Sequence, residues 1–190
     1  MAKKKNNKVL NLVFSLVPVL LGVIAIFLCF APGLTNTVVI EIFGNKSTTI
    51  YNAQLFGLVF GNGQITSGDK ISTLNGGMSI FGLISFVLLV VAIATQVVAT
   101  FVKLKKTDLI RLVSAACFVV AGILMFFLKT AGTDVILVSG GSDLGGFIGE
   151  QKAAFVDVFE DYTLGAGAIV YAILSLLAGA SVIVPKFLKK

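Results

Sequence analysis

Few residues in this chain have the types and spacing that catalysis or metal binding requires. The 190 residues contain no histidine, and no serine stands in a Gly-x-Ser-x-Gly elbow, so nucleophilic catalysis lacks its usual base and nucleophile. The carboxylates of Asp157, Glu160 and Asp161 could offer oxygen ligands to Ca²⁺, but they lack an EF-hand spacing, and a solvated face explains them better. The sequence therefore predicts a protein that is not an enzyme and has no catalytic, metal or cofactor site.

A glycine-rich stretch at residues 140–149 invites comparison with phosphate-binding loops. It lacks the Gly-Lys-Ser/Thr ending of a P-loop and the spacing of a dinucleotide-binding fingerprint. A flexible turn is the better interpretation. The two cysteines, Cys29 and Cys117, would differ in depth by about 15 Å in the topology described below, which is beyond disulfide reach. We interpret them as small apolar packing residues.

The composition indicates that lipid, not water, surrounds much of the chain. Hydrophobic residues make up 57% of it and charged residues only 13%, with a mean hydropathy of +1.02. An ordinary soluble domain is about 45–50% apolar and about 25% charged. A soluble fold of this length could not bury so much apolar surface.

The formal charge of +6 is distributed in a way that excludes a nucleic-acid patch. Residues 1–8, 103–111 and 185–190 hold eleven of the 15 cations and one of the nine acids. Residues 32–77 and 129–163 hold the other four cations and the other eight acids. Basic residues that flank membrane spans are retained in the cytoplasm, so this asymmetry predicts which segments lie inside.

Four apolar runs are long enough to cross a hydrocarbon core of about 30 Å, at residues 9–31, 78–102, 109–128 and 164–184. The first run could be a signal peptide, but it exceeds the usual apolar region of about 7–15 residues, which favours a retained helix. Pro18 should kink this span or be compensated by a neighbouring helix.

A short basic turn at residues 103–108 joins the second and third runs. It predicts a cytoplasmic loop, with both termini (1–8 and 185–190) on the same side as basic tails. We expect Arg111 to reach the headgroups from the inner edge of the third span. The residues that we assign to topology and lipid headgroups are Lys103, Lys105, Lys106 and Arg111.

Small and weakly polar residues recur at helical spacing in the second and fourth runs, which predicts helix contacts. They are Gly82, Ser85, Ala92, Gln96 and Ala99, then Ala168, Ala172, Ser175 and Gly179. Gln96 is the strongest polar group in mid-span, and it either bonds to another helix or contacts a substrate. Since the spans hold no ionisable group at depth, ion-coupled transport and intramembrane proteolysis are disfavoured.

The two outer segments, 32–77 and 129–163, contain strand patterns. Residues 37–43 and 48–51 predict a β-hairpin, and residues 134–138 predict a strand, of which 135–138 could join the hairpin in one sheet. Residues 61–63 and 75–77 have turn chemistry. Residues 55–60 are either a third strand or a segment in the membrane interface, and residues 147–162 are amphipathic, as a helix or a strand.

The predicted fold is an all-α membrane protein, a four-transmembrane-helix bundle with a small β-containing extracytoplasmic cap built from both outer segments. This plan resembles that of claudin-like tetraspan proteins in topology. Claudin-type first loops carry a Trp and a disulfide pair, and this chain has no Trp and no cysteine in residues 32–77. The resemblance therefore implies no functional residue.

Two functions remain open at this level. The first is a structural, scaffold or accessory protein of the cell membrane whose cap binds another membrane or extracytoplasmic protein, or a second copy. The alternative is a component of an oligomeric channel or transporter. Membrane lipids are expected partners in both cases and nucleic acid in neither. The Phe- and Lys-rich composition indicates a low-GC bacterium.

Overall fold

The computed structural model describes residues 2–42, 45–67, 70–76, 79–102, 107–128, 135–138 and 162–187. Several predictions from the sequence concern residues outside these ranges. They are Lys103, Lys105 and Lys106 of the basic turn, the glycine-rich stretch 140–149, and the amphipathic segment up to residue 161, with Asp157, Glu160 and Asp161.

Five α-helices form within the described residues, and four of them are long. They are α1 (Ala2–Phe27, continued by a 3₁₀ turn at Leu28–Phe30), α2 (Leu55–Phe60), α3 (Ile80–Phe101), α4 (Thr107–Phe126) and α5 (Ala166–Phe187). Helix α1 includes the residues that the sequence assigned to a basic tail. Helices of 18 to 22 apolar residues can cross a bilayer core, and the candidate spans are Leu12–Phe30, Ile80–Phe101, Thr107–Phe126 and Ala166–Ile183.

Both connecting segments contribute strands to one antiparallel sheet. The strands are β1 (Pro32–Ile42), β2 (Asn45–Gln54), β3 (Asn62–Ser67), β4 (Lys70–Gly76), β5 (Val135–Val138) and β6 (Thr163–Leu164). Their order is β5-β4-β3-β2-β1-β6. The fold prediction is therefore confirmed in its coarser form, as four long apolar helices with a small sheet.

The prediction of turns around residues 62 and 75 is wrong, because Asn62 lies in β3 and Asn75 lies in β4. Asn62 pairs with Asn75, and Gly63 pairs with Leu74. Asn and Gly have low strand propensity, but each of these strands also pairs with a neighbour on its other side, and ladder formation outweighs that preference. The alternative of a third strand at residues 55–60 is also wrong, because those residues form α2.

Two compact units divide the described residues. We call the first the helical unit; it takes Met1–Leu28, Ile84–Met125 and Val170–Lys190. We call the second the sheet unit; it takes Cys29–Leu83 and Phe126–Ile169. The core of the helical unit consists mainly of small side chains around a few large ones, including Phe118 and Tyr171. Small residues there allow the helix backbones to approach closely.

The outward surface of the helical unit is apolar. Large hydrophobic side chains on it are exposed along all four long helices, among them Leu20, Val87, Leu112 and Leu177. Soluble monomers rarely expose contiguous apolar area of this kind, whereas a lipid-facing surface requires it.

Candidate functional site

All nine residues of the two predicted stripes are buried. Gly82, Ser85, Ala92, Gln96 and Ala99 lie on one side of α3, and Ala168, Ala172, Ser175 and Gly179 lie on one side of α5. Buried side chains at spacings of three and four residues form one face of a helix. Seven of the nine lie in the helical unit, where their contacts form the candidate site, and Gly82 and Ala168 lie in the sheet unit.

Ser85 and Tyr171 link three helices in the interior of the helical unit. The Ser85 hydroxyl donates a hydrogen bond to the Ala121 carbonyl of α4, at 2.7 Å. The Tyr171 hydroxyl of α5 donates to the Ser85 carbonyl at 3.3 Å and lies 3.3 Å from Ser85 Oγ. Ser175 donates to the Tyr171 carbonyl one turn away, at 2.9 Å. Sequence reasoning placed Ser85 in a packing stripe but missed Tyr171, whose partner is 86 residues distant.

A second polar contact joins α3 to α4, where the Ser114 hydroxyl donates to the Ala92 carbonyl at 2.8 Å. Glycines permit close approach elsewhere in the same unit. A Cβ built on Gly122 would lie 2.9 Å from the Ala172 carbonyl oxygen, and one built on Gly179 would lie 2.8 Å from Val119 Cγ2. Gly122 was missed by the sequence stripes, although a glycine inside an apolar helix is itself a signal for close packing.

Gln96 joins α3 to α1. Its Nε2 donates to the Ser15 carbonyl at 3.2 Å, while its buried Oε1 has no hydrogen-bond partner among the described residues. Pro18 lies within α1 and has no N–H to donate to the Phe14 carbonyl, which weakens the hydrogen-bond ladder in this turn. The Gln96 amide therefore bonds to the residue next to the carbonyl that the proline leaves without its helical donor.

Arg111 approaches the same turn of α1 from α4. Its Nη2 lies 3.4 Å from Ser15 Oγ, and its buried Nε has no hydrogen-bond partner within the described part of the chain. Arg111, Leu112, Val182 and Ile183 line a cleft of about 20 Å³, room for roughly one water molecule. Sequence reasoning missed Ser15, since a single serine in an apolar run gives no signal for two polar partners.

In the sheet unit, backbone hydrogen bonds connect α2 to two other segments of the chain. Leu55 N–H donates to the Ala31 carbonyl at 3.0 Å, and Ser79 N–H donates to the Leu58 carbonyl at 2.8 Å. The Ser79 hydroxyl also lies 3.3 Å from the Leu128 carbonyl oxygen. Gly61 ends the helix with φ 74°, and its N–H donates to the Gly57 carbonyl at 2.8 Å.

The two faces of the β1–β2 hairpin differ in the exposure of their described side chains. Residues that pair directly across an antiparallel ladder lie on the same face, and Thr37 pairs with Ile50 while Val39 pairs with Thr48. All four of these side chains are exposed, with Val39 at 56% and Ile50 at 48%. On the opposite face the paired residues Leu34 and Ala53 are buried, and Asn36, Thr49 and Tyr51 are half-buried. We call Thr37, Val39, Thr48 and Ile50 the hairpin patch.

Tyr162 is buried immediately before β6. Burial raises the pKa of its hydroxyl from 10.0 to about 12, and the charge of Tyr51 adds to the rise when that residue ionises. Loss of the proton would place a negative charge in a site shielded from water, so the neutral form is retained to high pH.

The described residues contain no group of three or more His, Cys, Asp or Glu side chains that could hold a metal ion. Cys29 and Cys117 are both free thiols.

The chain matches no protein-family model and no curated protein. Its polar contacts therefore have to be interpreted from their own geometry.

Proposed function

We propose that this chain is a non-enzymatic multi-pass protein of the cell membrane whose sheet unit is an extracytoplasmic cap that binds other proteins. The partner is another membrane or extracytoplasmic protein, or a second copy of the chain. The hairpin patch carries this proposal, because it exposes two large apolar side chains on an ordered sheet. The membrane-crossing part of the proposal is supported by four long helices with exposed apolar surfaces.

The orientation is supported by the distribution of charge. The sheet strands come mainly from the two segments that hold eight of the nine acids, and the helix ends that do not lead into these segments adjoin the basic clusters in the sequence. Positive-inside retention would place the basic clusters and both termini in the cytoplasm. A green fluorescent protein joined after Lys190 should then be fluorescent, and alkaline phosphatase at the same position should be inactive. The reverse pattern would contradict the orientation.

The chemistry of the hairpin patch suits a protein partner. Its four side chains are all β-branched and therefore have few rotamers to lose on binding. Val39 and Ile50 are diagonal neighbours across the ladder, so they form one apolar centre with threonine hydroxyls beside it. An apolar centre within a polar surround is the usual anatomy of an interface core and rim.

Single lysine substitutions test this surface. Val39→Lys and Ile50→Lys should each weaken association about tenfold or more, because a charge would be desolvated at the centre of the contact. Gln64→Lys is the matched control, since Gln64 is an exposed polar residue of β3 and receives the same charge. Cross-linking in native membranes, followed by mass spectrometry, measures both self-association and hetero-association. Equal yields for all three variants and the unaltered chain would contradict the proposal.

The second candidate is a component of an oligomeric channel or transporter. The buried and unpartnered Gln96 Oε1 and Arg111 Nε favour it, because polar atoms without partners among the described residues could face a solute path. Purified protein in liposomes tests it by flux of ions and small solutes. The association proposal predicts no flux above empty liposomes, whereas a conducting protein should lose flux in Gln96→Leu.

A further inference from the structure

Helix α2 lies where three candidate spans end. Leu55 N–H bonds to the carbonyl of Ala31, the residue that follows the first span. Leu58 accepts from the N–H of Ser79, the residue that precedes the second span. Ser79 in turn contacts the carbonyl of Leu128, two residues beyond the third span. If these spans cross a bilayer, α2 is held at the boundary of its hydrocarbon core.

The six residues of α2 have two distinct sides. Leu55, Leu58 and Val59 are almost completely buried in the sheet unit. Phe56 and Phe60, which are four positions apart and so share a face, are exposed. No charged residue occurs between Gln54 and Gly63. The exposed side of α2 is therefore aromatic and uncharged.

These two rings continue a row that begins in the first span. The Phe30 and Phe56 rings are stacked, with centroids 5.7 Å apart and planes at 9°. The Phe56 and Phe60 centroids are 4.7 Å apart. All three side chains are exposed, Phe30 at 63%, Phe56 at 37% and Phe60 at 38%. We call Phe30, Phe56 and Phe60 the aromatic row.

We propose that the aromatic row is a membrane anchor whose ligand is the lipid surface, at the boundary between acyl chains and headgroups. This inference rests on the proposed function in that the four long helices cross a membrane. Phe30 is the last residue of the first candidate span, so the row begins at the end of a segment that lipid would surround. Helices that lie in the membrane interface bury apolar side chains such as phenylalanine at the boundary of headgroups and acyl chains, and phenylalanine has no polar group that needs water.

Anchoring would have a consequence for the sheet. Helix α2 directly follows β2 and is separated from β3 by Gly61 alone. An α2 fixed at the membrane surface would set the distance of these strands, and of the hairpin patch, from the bilayer. A protein partner covering the aromatic row is the competing explanation, and the experiment below distinguishes it.

The chain contains no tryptophan, so one Phe→Trp substitution creates a single fluorescent reporter. We would reconstitute Phe56→Trp and Phe60→Trp separately into phosphatidylcholine vesicles that contain lipids brominated at chosen acyl positions. Both reporters should be quenched most by bromines near the headgroup and only weakly by aqueous acrylamide. Leu20→Trp, exposed in the middle of the first span, should be quenched most by deep bromines. Ile50→Trp in the hairpin patch should respond to acrylamide and not to bromolipid.

Two outcomes would overturn the anchor. In the first, Phe56→Trp and Phe60→Trp behave like Ile50→Trp, so the row faces water. In the second, neither quencher reaches them, so protein covers the row. If the fluorescence of Leu20→Trp is also not quenched by brominated lipid, the helices do not cross the bilayer and the proposed function fails instead. Gel filtration of each variant in detergent, with an elution volume equal to that of the unaltered chain, verifies folding.

Discussion

The hydroxyl of Tyr171 lies 3.3 Å from the carbonyl oxygen of Ser85, and this contact couples α5 to α3 while Ser85 couples α3 to α4. The Ser85 carbonyl thus accepts a hydrogen bond from α5, and the Ser85 hydroxyl donates a hydrogen bond to α4. Such contacts matter in lipid, where a polar group on a helix surface has no water to replace a lost partner.

Removing these hydroxyl groups should show their coupling. Tyr171→Phe and Ser85→Ala should each lower the free energy of unfolding by about 0.5–1.5 kcal/mol, the usual value of one hydrogen bond. The double variant should cost less than the sum, because Ser85 Oγ and the Tyr171 hydroxyl are in contact. Reversible unfolding in mixed micelles measures all three values. Thr95→Val is the control and should be nearly neutral, since among the described residues the Thr95 hydroxyl bonds to the Val91 and Ala92 carbonyls of its own helix.

Two neighbouring positions on α5 should differ in how well they accept a valine. Gly179→Val should destabilise the protein by about 1–3 kcal/mol, because a Cβ there already lies 2.8 Å from Val119 Cγ2 and 3.1 Å from the Ala115 carbonyl oxygen. Ala180→Val, on the exposed side, should stay within about 0.5 kcal/mol of the unaltered chain. The same unfolding assay applies. A similar cost at both positions would mean that α5 is packed on all sides.

Gln96→Leu should change the free energy of unfolding by less than about 1 kcal/mol. The substitution removes the bond to Ser15, but it also removes the unpartnered Oε1, and the two effects oppose each other. Denaturant titration of the reconstituted protein measures the difference. A loss above about 2 kcal/mol would instead indicate that Oε1 has a hydrogen-bond partner, which would remove one of the observations that favour the channel or transporter candidate.

Gly61 ends α2 in the left-handed region, at φ 74° and ψ 11°. Gly61→Ala should destabilise the sheet unit by about 1–2 kcal/mol, the cost of placing a Cβ in that conformation. Gly61→Asn should recover part of the loss, because asparagine tolerates this region. Limited proteolysis of the sheet unit, timed for each variant, detects the change. An alanine variant as resistant as the original would show that the backbone there adapts freely.

High pH should destabilise the sheet unit through Tyr162. The folded protein keeps this hydroxyl protonated up to a pKa of about 12, whereas an unfolded chain releases the proton near 10.0. The unfolded state therefore binds fewer protons in this window, and stability falls as pH rises from about 10 to about 12. Tyr162→Phe should flatten that decline. Tyr51→Phe should lower the pKa of Tyr162, which ultraviolet titration of tyrosinate measures.

Local patterns were sufficient to predict four long helices. Apolar runs of about 20 residues are a direct consequence of bilayer thickness, and small residues at spacings of three and four mark a helix face without any tertiary information. Residues 55–60 show the limit of such patterns, because a six-residue apolar run fits a strand and a helix equally well. The helix that forms there has backbone hydrogen bonds to Ala31 and Ser79, and it ends at Gly61 in the left-handed conformation.

The sequence by itself determined the number of candidate spans, the asymmetry of charge and the faces that small residues occupy, since each depends on neighbours within a few positions. Only the tertiary structure decided the strand order β5-β4-β3-β2-β1-β6, which joins segments about 60 residues apart in β4 and β5. It also decided the partners of Ser15, Ser85 and Tyr171. Hydrogen bonds across helices depend on rotation and depth, and composition leaves both undetermined.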